Sequence, residues 1–214
     1  MRIGILGAGH IGATAARLFA KAGHDVALSN SRGPASLEGL VADINRAAGA
    51  TRVHGATAKD AAEFGEVVLL AVPWRKPEAW PSAPAVRGKI VIDAMNGYSD
   101  TGGIADLGNS TSSEEVSKRL PGARLVKAFN TIRWSHLAEQ GRPDLPLPER
   151  RAIFVAGDDA EAKRVVSRLI EQIGFAPVDT GTLREGGRSQ QPGTPVYNRN
   201  LTPTEAAGIL AATH

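Results

Sequence analysis

Three glycines in the run Gly7-Ala8-Gly9-His10-Ile11-Gly12 follow an apolar stretch and open a segment of helical composition. A turn of this spacing suits the pyrophosphate of a dinucleotide. Gly7 permits the tight turn, Gly9 lets the backbone approach the phosphates, and Gly12 lets the helix pack close to the strand. The negative charge then rests on the free N–H groups and positive dipole end of the helix, with His10 and Ile11 in its first turn. The next apolar run ends in Leu28-Ser29-Asn30-Ser31-Arg32. An NAD-selective site places a carboxylate here for the ribose 2′-OH. This chain offers an amide, a hydroxyl and a guanidinium, which suit a 2′-phosphate dianion that a carboxylate would repel. Asn30, Ser31 and Arg32 therefore predict NADP(H) rather than NAD(H). The alternative for Arg32 is a side chain that simply points into water.

Three further motifs stand at the carboxyl ends of apolar runs: Ala71-Val72-Pro73-Trp74, Asp93-Ala94-Met95-Asn96 and Ala128-Phe129-Asn130-Thr131. Open α/β sheets bind ligands along that edge, so Val72, Pro73, Trp74, Asn96, Ala128 and Asn130 are candidate cofactor-binding residues. Trp74 either covers the nicotinamide ribose or packs under the next helix. Asn96 and Asn130 either hold the ribose or carboxamide, or cap turns. Acid–base machinery is sparse. Four residues after Tyr98 comes Gly102, and four after Tyr197 comes Leu201, so the Tyr-x-x-x-Lys pair of carbonyl reduction is missing. His136, after the sixth strand, is the one histidine placed for chemistry, with a satisfied or solvent-facing role as its alternative. No His/Asp/Glu grouping has metal-ligand spacing. No catalytic residue is assigned: hydride transfer between two rings needs stacking and orientation more than a strong acid or base.

The elements that must position these residues alternate short β-branched runs with amphipathic stretches, predicting a doubly wound, mostly parallel α/β sheet of Rossmann type. Expected strands are Arg2–Leu6, Asp25–Ser29, Arg52–His54, Glu66–Val72, Lys89–Asp93, Arg124–Ala128, Ala152–Ala156 and Pro177–Asp179. Expected helices are Ile11–Ala22, Ser36–Ala48, Ala58–Phe64, Glu114–Leu120, Ala160–Ile173 and Thr204–Ala212, the last capped by Thr202. Gly141–Arg151 reads as a connecting loop, and Gly181–Pro203 as an irregular arm rich in Gly, Pro and polar residues. Residues 1–180 are expected to form an NADP-binding domain. Residues 181–214 would add an arm and helix that complete the substrate site or a dimer contact.

The 214 residues are 42% hydrophobic and 22% charged, a globular composition that disfavours bulk disorder. With no cysteine, disulfides, thiolate metal sites and cysteine nucleophiles are excluded. The net charge of +3 is small and dispersed, and aromatics are only 5%, which argues against nucleic-acid binding. No run approaches the roughly 20 apolar residues of a membrane span. The expectation is a cytoplasmic homodimer acting on a small-molecule redox acceptor.

Taken in order, GILGAGHIGAT, SNSRGP, AVPW, DAMNG and KAFNTI resemble the NADPH-dependent F-420 reductase family, single-domain Rossmann proteins, over residues 1 to about 180. The resemblance implies hydride transfer between NADPH and the deazaflavin coenzyme F-420. It places the pyrophosphate on Gly7, Gly9, His10, Ile11 and Gly12, the 2′-phosphate on Ser31 and Arg32, and the nicotinamide near Pro73, Asn96 and Asn130, where the deazaflavin ring stacks. The chain departs from the archaeal enzymes in Arg184–Pro203, polar where they carry a hydrophobic helical segment, so the acceptor is read as F-420 or a flavin. In this arm Gln190, Gln191 and Tyr197 either close over the site, in this chain or a partner subunit, or only cover a sheet edge. The Rossmann module also resembles the cytosolic domain of six-transmembrane ferric reductases, which makes a flavin or ferric reductase one alternative. A non-catalytic NADPH-sensing module is the other.

Overall fold

The structure is a computed structural model and describes residues 1–212. Strand β1 (Arg2–Leu6) leads through the glycine turn into α1 (His10–Lys21), followed by β2 (Asp25–Ser29). A 3-10 turn precedes α2 (Glu38–Ala48), and β3 (Val53–Ala56), α3 (Ala58–Phe64) and β4 (Val67–Leu70) come next. Beyond them lie α4 (Ala83–Val86), β5 (Ile90–Asp93), α5 (Ser112–Arg119) and β6 (Arg124–Lys127). The chain continues through α6 (Trp134–Glu139), β7 (Ala152–Gly157), α7 (Ala160–Gln172) and β8 (Ala176–Gly181). Two helices follow, α8 (Glu185–Ser189) and α9 (Pro203–Ala211).

The strands form one sheet in the order β3-β2-β1-β4-β5-β6-β7-β8. Alternation along each strand splits the core in two. Ile3, Ile5, Val26, Leu28, Val67 and Leu69 face one cluster with Phe19 of α1 and Val166 of α7. Leu6, Ala27, Val68, Leu70 and Val91 face the other, with Ala61 of α3 and Val116 of α5. Burial on both faces is what a doubly wound sheet requires. Side chains set the helix starts: Thr57, Thr111, Asp159 and Thr202 each accept from a backbone N–H of the first turn. Among the described residues no helix is long and apolar enough to cross a membrane.

Neighbouring strands are parallel except β6 and β7, which run antiparallel. Their overlap is short: Val126 faces Gly157 and Lys127 faces Ala156. The first half of β7 therefore projects past the carboxyl end of β6, toward the edge where the strand-end motifs lie. Elsewhere element ends differ from the predicted ones by one to a few residues, as hydrogen bonding rather than composition decides them. Short helices α4, α6 and, in the arm, α8 stand where the sequence predicts none.

Candidate active site

The glycine turn is shaped by crowding. Gly7 has φ +102°, and Gly12 lies so close to the turn that a Cβ there would stand 1.8 Å from the Gly7 carbonyl oxygen. Gly9 is different: no neighbouring atom lies within 4 Å of the position its Cβ would take. Its missing side chain leaves room outside the protein, at the amino end of α1. No side chain caps that end, and no carboxylate stands in its first turn. The N–H groups and dipole there are open to an anion.

At the end of β2, Asn30 is a structural hub for its turn. Its Oδ1 accepts from the Arg32 N–H at 3.0 Å, and its Nδ2 donates to Ser36 Oγ at 2.9 Å. Ser31 and Arg32 are exposed. Among the described residues the Arg32 guanidinium pairs with no carboxylate, in contrast to Arg52, which holds Asp25 at 2.9 Å.

A cavity of about 490 Å³ lies along the strand ends between the glycine turn and the loops after β4 and β5. Gly9, His10, Ile11, Val72, Pro73, Trp74 and Asn96 line it, joined by Arg75, Met95 and Tyr98. A second hollow of about 400 Å³ adjoins it, sharing Trp74, Arg75 and Tyr98 and bounded by Trp80 and Arg119. The Trp74 indole N–H donates to the Ser112 carbonyl at 3.1 Å, so this residue walls the cavity while it packs on the start of α5. The His10 ring stacks on Trp134, centroids 4.6 Å apart.

Beneath the wall is a buried ion pair. Lys127 and Asp93 have side chains 1% and 0% exposed, with Nζ 3.1 Å from Oδ2. The ammonium also donates to the Met95 carbonyl at 2.6 Å and to Ser112 Oγ at 3.4 Å, so its three protons have three partners. The carboxylate accepts from the Ser113 hydroxyl at 2.6 Å and the Met95 N–H at 3.0 Å. A buried pair satisfied in this way locks the β5 loop to the first turn of α5. It fixes Met95 and the carbonyl that holds Trp74.

The arm closes on the strand ends of its own chain. The Asn198 N–H donates to the Thr131 carbonyl at 3.0 Å, with Asn198 at φ +57°. Asn130 Nδ2 donates to the Gln190 carbonyl at 2.8 Å and to Asn96 Oδ1 at 3.2 Å. Asn96 Nδ2 donates to the Asn130 carbonyl at 3.0 Å and to Tyr197 Oη at 3.2 Å, and Tyr197 Oη lies 3.0 Å from Tyr98 Oη. Burial and the Tyr98 hydroxyl push the Tyr197 phenol up from its ordinary value. Phe129, just before Asn130, is buried at φ +67°, a strained conformation for a bulky residue.

Of the predicted site residues, the cavity gathers Gly9, His10, Ile11, Val72, Pro73, Trp74 and Asn96. Gly7 and Gly12 shape the turn behind it, and Asn30, Ser31 and Arg32 stand apart at the β2 end. Ala128 and Asn130 are buried, 0% and 4% exposed, and support the wall from behind. Gln191 closes a local turn onto the Arg188 carbonyl. His136 bonds Arg151, with Nδ1 2.8 Å from the guanidinium, and is not a cavity residue. Sequence reasoning passed over Tyr98 and the Asp93–Lys127 pair. A signal for the pair was present: a lysine inside the apolar run Leu125-Val126-Lys127-Ala128-Phe129 needs a buried partner.

Comparison with known proteins gives this geometry a family. The profile described as NADP oxidoreductase coenzyme F-420-dependent matches residues 2–97. The F-420-dependent NADP reductase of Methanothermobacter thermautotrophicus is 32% identical over 216 residues, covering 94% of this chain and 90% of that protein. Metalloreductase STEAP3 of Rattus norvegicus is 28% identical over 184 residues, 85% of this chain, and the chain spans only 34% of its length. Among solved structures, a hypothetical protein from Sinorhizobium meliloti is 37% identical with a TM-score of 0.79, over 94% of this chain and 95% of that one. With that reductase matched along nearly its whole length, this chain belongs to the F-420-dependent NADP reductases, a family of NADP-dependent oxidoreductases.

Proposed function

We propose that the chain transfers hydride between NADP(H) and the ring of a deazaflavin, coenzyme F-420. The observation that carries the reading is the cavity of about 490 Å³ running from Gly9 to Asn96 and Tyr98, walled by residues of three strand ends. The residues present fit the dinucleotide. The open space at Gly9 and the uncapped start of α1 suit a pyrophosphate, held by Gly7, Gly9, His10, Ile11 and Gly12. The unpaired Arg32, with Ser31, suits a 2′-phosphate, and Asn30 keeps their turn in shape. Val72, Pro73, Trp74 and Asn96 border the nicotinamide, with Ala128 and Asn130 behind them. Bound NADPH supplies the hydride. The protein positions two rings and excludes water, and no side chain has to gain or lose a proton for the transfer itself.

In this reading residues 1–180 hold NADP(H), and residues 181–214, of which 213–214 lie outside the described residues, complete the acceptor side. The working form is a cytoplasmic homodimer, an assignment that light scattering and cell fractionation test. A second reading replaces deazaflavin by flavin, with electrons passed on to ferric iron; the match to Metalloreductase STEAP3 favours it. Anaerobic NADPH oxidation with F-420, FMN, FAD and ferric citrate offered separately decides between them. Turnover with F-420 alone supports the first reading and turnover with flavin or iron the second. Tight NADPH binding without turnover would point to a sensor instead. Arg32→Ala should weaken NADPH about tenfold or more and leave NADH within about twofold. Equal losses would remove the 2′-phosphate assignment.

A further inference from the structure

Tyr98 stands at the junction of the two cavities and lines both. The chemistry of each group fixes the direction of the hydrogen bonds leading toward it as far as Tyr197. Asn96 faces the Asn130 main-chain carbonyl at 3.0 Å, which only its Nδ2 can satisfy. Asn130 is oriented in the same way by the Gln190 carbonyl at 2.8 Å, and its amide returns a proton to Asn96 Oδ1. With Asn96 Nδ2 as donor, Tyr197 Oη accepts at 3.2 Å. Tyr197 Oη lies 3.0 Å from Tyr98 Oη, a contact in which either hydroxyl can donate. With Tyr197 as the donor, Tyr98 accepts and its own proton is left for the cavity. In that arrangement the bonds oriented by two backbone carbonyls end on a hydroxyl, polarised by its neighbours, on the cavity wall.

Resting on the hydride-transfer reading above, we infer that Tyr98 is the hydrogen-bond donor that recognises the acceptor ring, with Tyr197 of the arm positioning it. The ligand class is a planar ring whose hydride-accepting atom is conjugated to a carbonyl or imine nitrogen, as in the pyrimidine-dione of flavins and deazaflavins. When hydride arrives at the ring, its electron pair moves onto that heteroatom, and the charge there is what the Tyr98 O–H stabilises. Tyr98 keeps its proton, and solvent supplies the one that completes reduction. The arm therefore takes part in acceptor recognition through the Tyr197 hydroxyl beside Tyr98.

Three variants test this: Tyr98→Phe, Tyr197→Phe and the double variant, all retaining the rings. Fluorescence titration of oxidised F-420 and of FMN without NADPH, the absorption band of the bound ring, and single-turnover hydride transfer are read for each. Tyr98→Phe should weaken binding of the acceptor that the wild type reduces by about threefold to tenfold. It should abolish the band shift seen on wild-type binding and slow hydride transfer about tenfold or more. NADPH affinity should stay within about twofold. Tyr197→Phe should cost less than Tyr98→Phe, and nothing further once Tyr98 is already Phe. Wild-type affinity and band position in Tyr98→Phe would overturn the assignment to Tyr98. An equal Tyr197→Phe loss in the Tyr98→Phe background would overturn the relay and leave only arm packing. If the wild-type protein reduces neither F-420 nor FMN, the hydride-transfer reading fails and this inference with it. Turnover by the wild type with an indifferent Tyr98→Phe sinks the inference alone.

Discussion

Gly9 and Gly12 are three residues apart in one motif, yet different physical demands fall on them. At Gly12 an added methyl would meet the Gly7 carbonyl at 1.8 Å, so Gly12→Ala must displace α1 from the turn. Overpacking of this kind costs about 1–3 kcal/mol or more, readable as a lower urea midpoint. At Gly9 the same methyl meets nothing in the protein. Gly9→Ala should therefore leave stability within about 0.5 kcal/mol while weakening NADPH binding about tenfold. Unchanged NADPH affinity in Gly9→Ala would mean that the pyrophosphate lies elsewhere. The shape of the glycine turn was legible in the sequence because it rests on backbone conformation within a few residues. Tyr98 was not. Its meaning depends on Tyr197, 99 residues away, and no local pattern announces that meeting.

Among the elements, β5, β6 and α5 meet on the Asp93–Lys127 pair, which ties the cavity wall to the sheet. Lys127→Met leaves a carboxylate buried at 0% exposure without its cation and should cost about 3–5 kcal/mol in denaturant unfolding. Adding Asp93→Asn should recover much of that loss, since a neutral amide no longer needs the ammonium. A double variant as unstable as Lys127→Met would show that the lysine acts through packing alone. Strand interiors were readable from their apolar runs. The reversed direction of β7 was not, because Ala152–Ala156 has the same pattern whichever way it runs, and only the preceding connection decides. Helix α8 escaped for a related reason. Gly186 and Gly187 are poor helix formers, and the segment is helical because their N–H groups find the Thr182 carbonyl.

Over the whole molecule, residues 148 positions apart are pinned together away from the site. His24, between α1 and β2, is 7% exposed and bonds Gln172 of α7 through Nε2 at 2.9 Å. Burial lowers its pKa from 6.5, against the opposing pull of the Gln172 bond. The unfolded chain therefore takes up a proton that the folded chain resists. The contribution is intact above about pH 6.5 and is lost as pH falls through that value, with a slope of at most about 1.4 kcal/mol per pH unit for one proton. His24→Gln should flatten this part of a stability–pH curve measured between pH 5 and 8. An unchanged slope would place the acid sensitivity elsewhere. The projecting half of β7 has a different consequence, one of timing. Ala152 and Phe154 are covered by Val196, Leu201 and Ala206, which emerge from the ribosome after them. A nascent chain halted at Gly181 would carry the whole sheet and leave that ledge bare, an apolar surface for chaperones to hold. Translation completes the eight-stranded sheet before the segment that covers the start of β7.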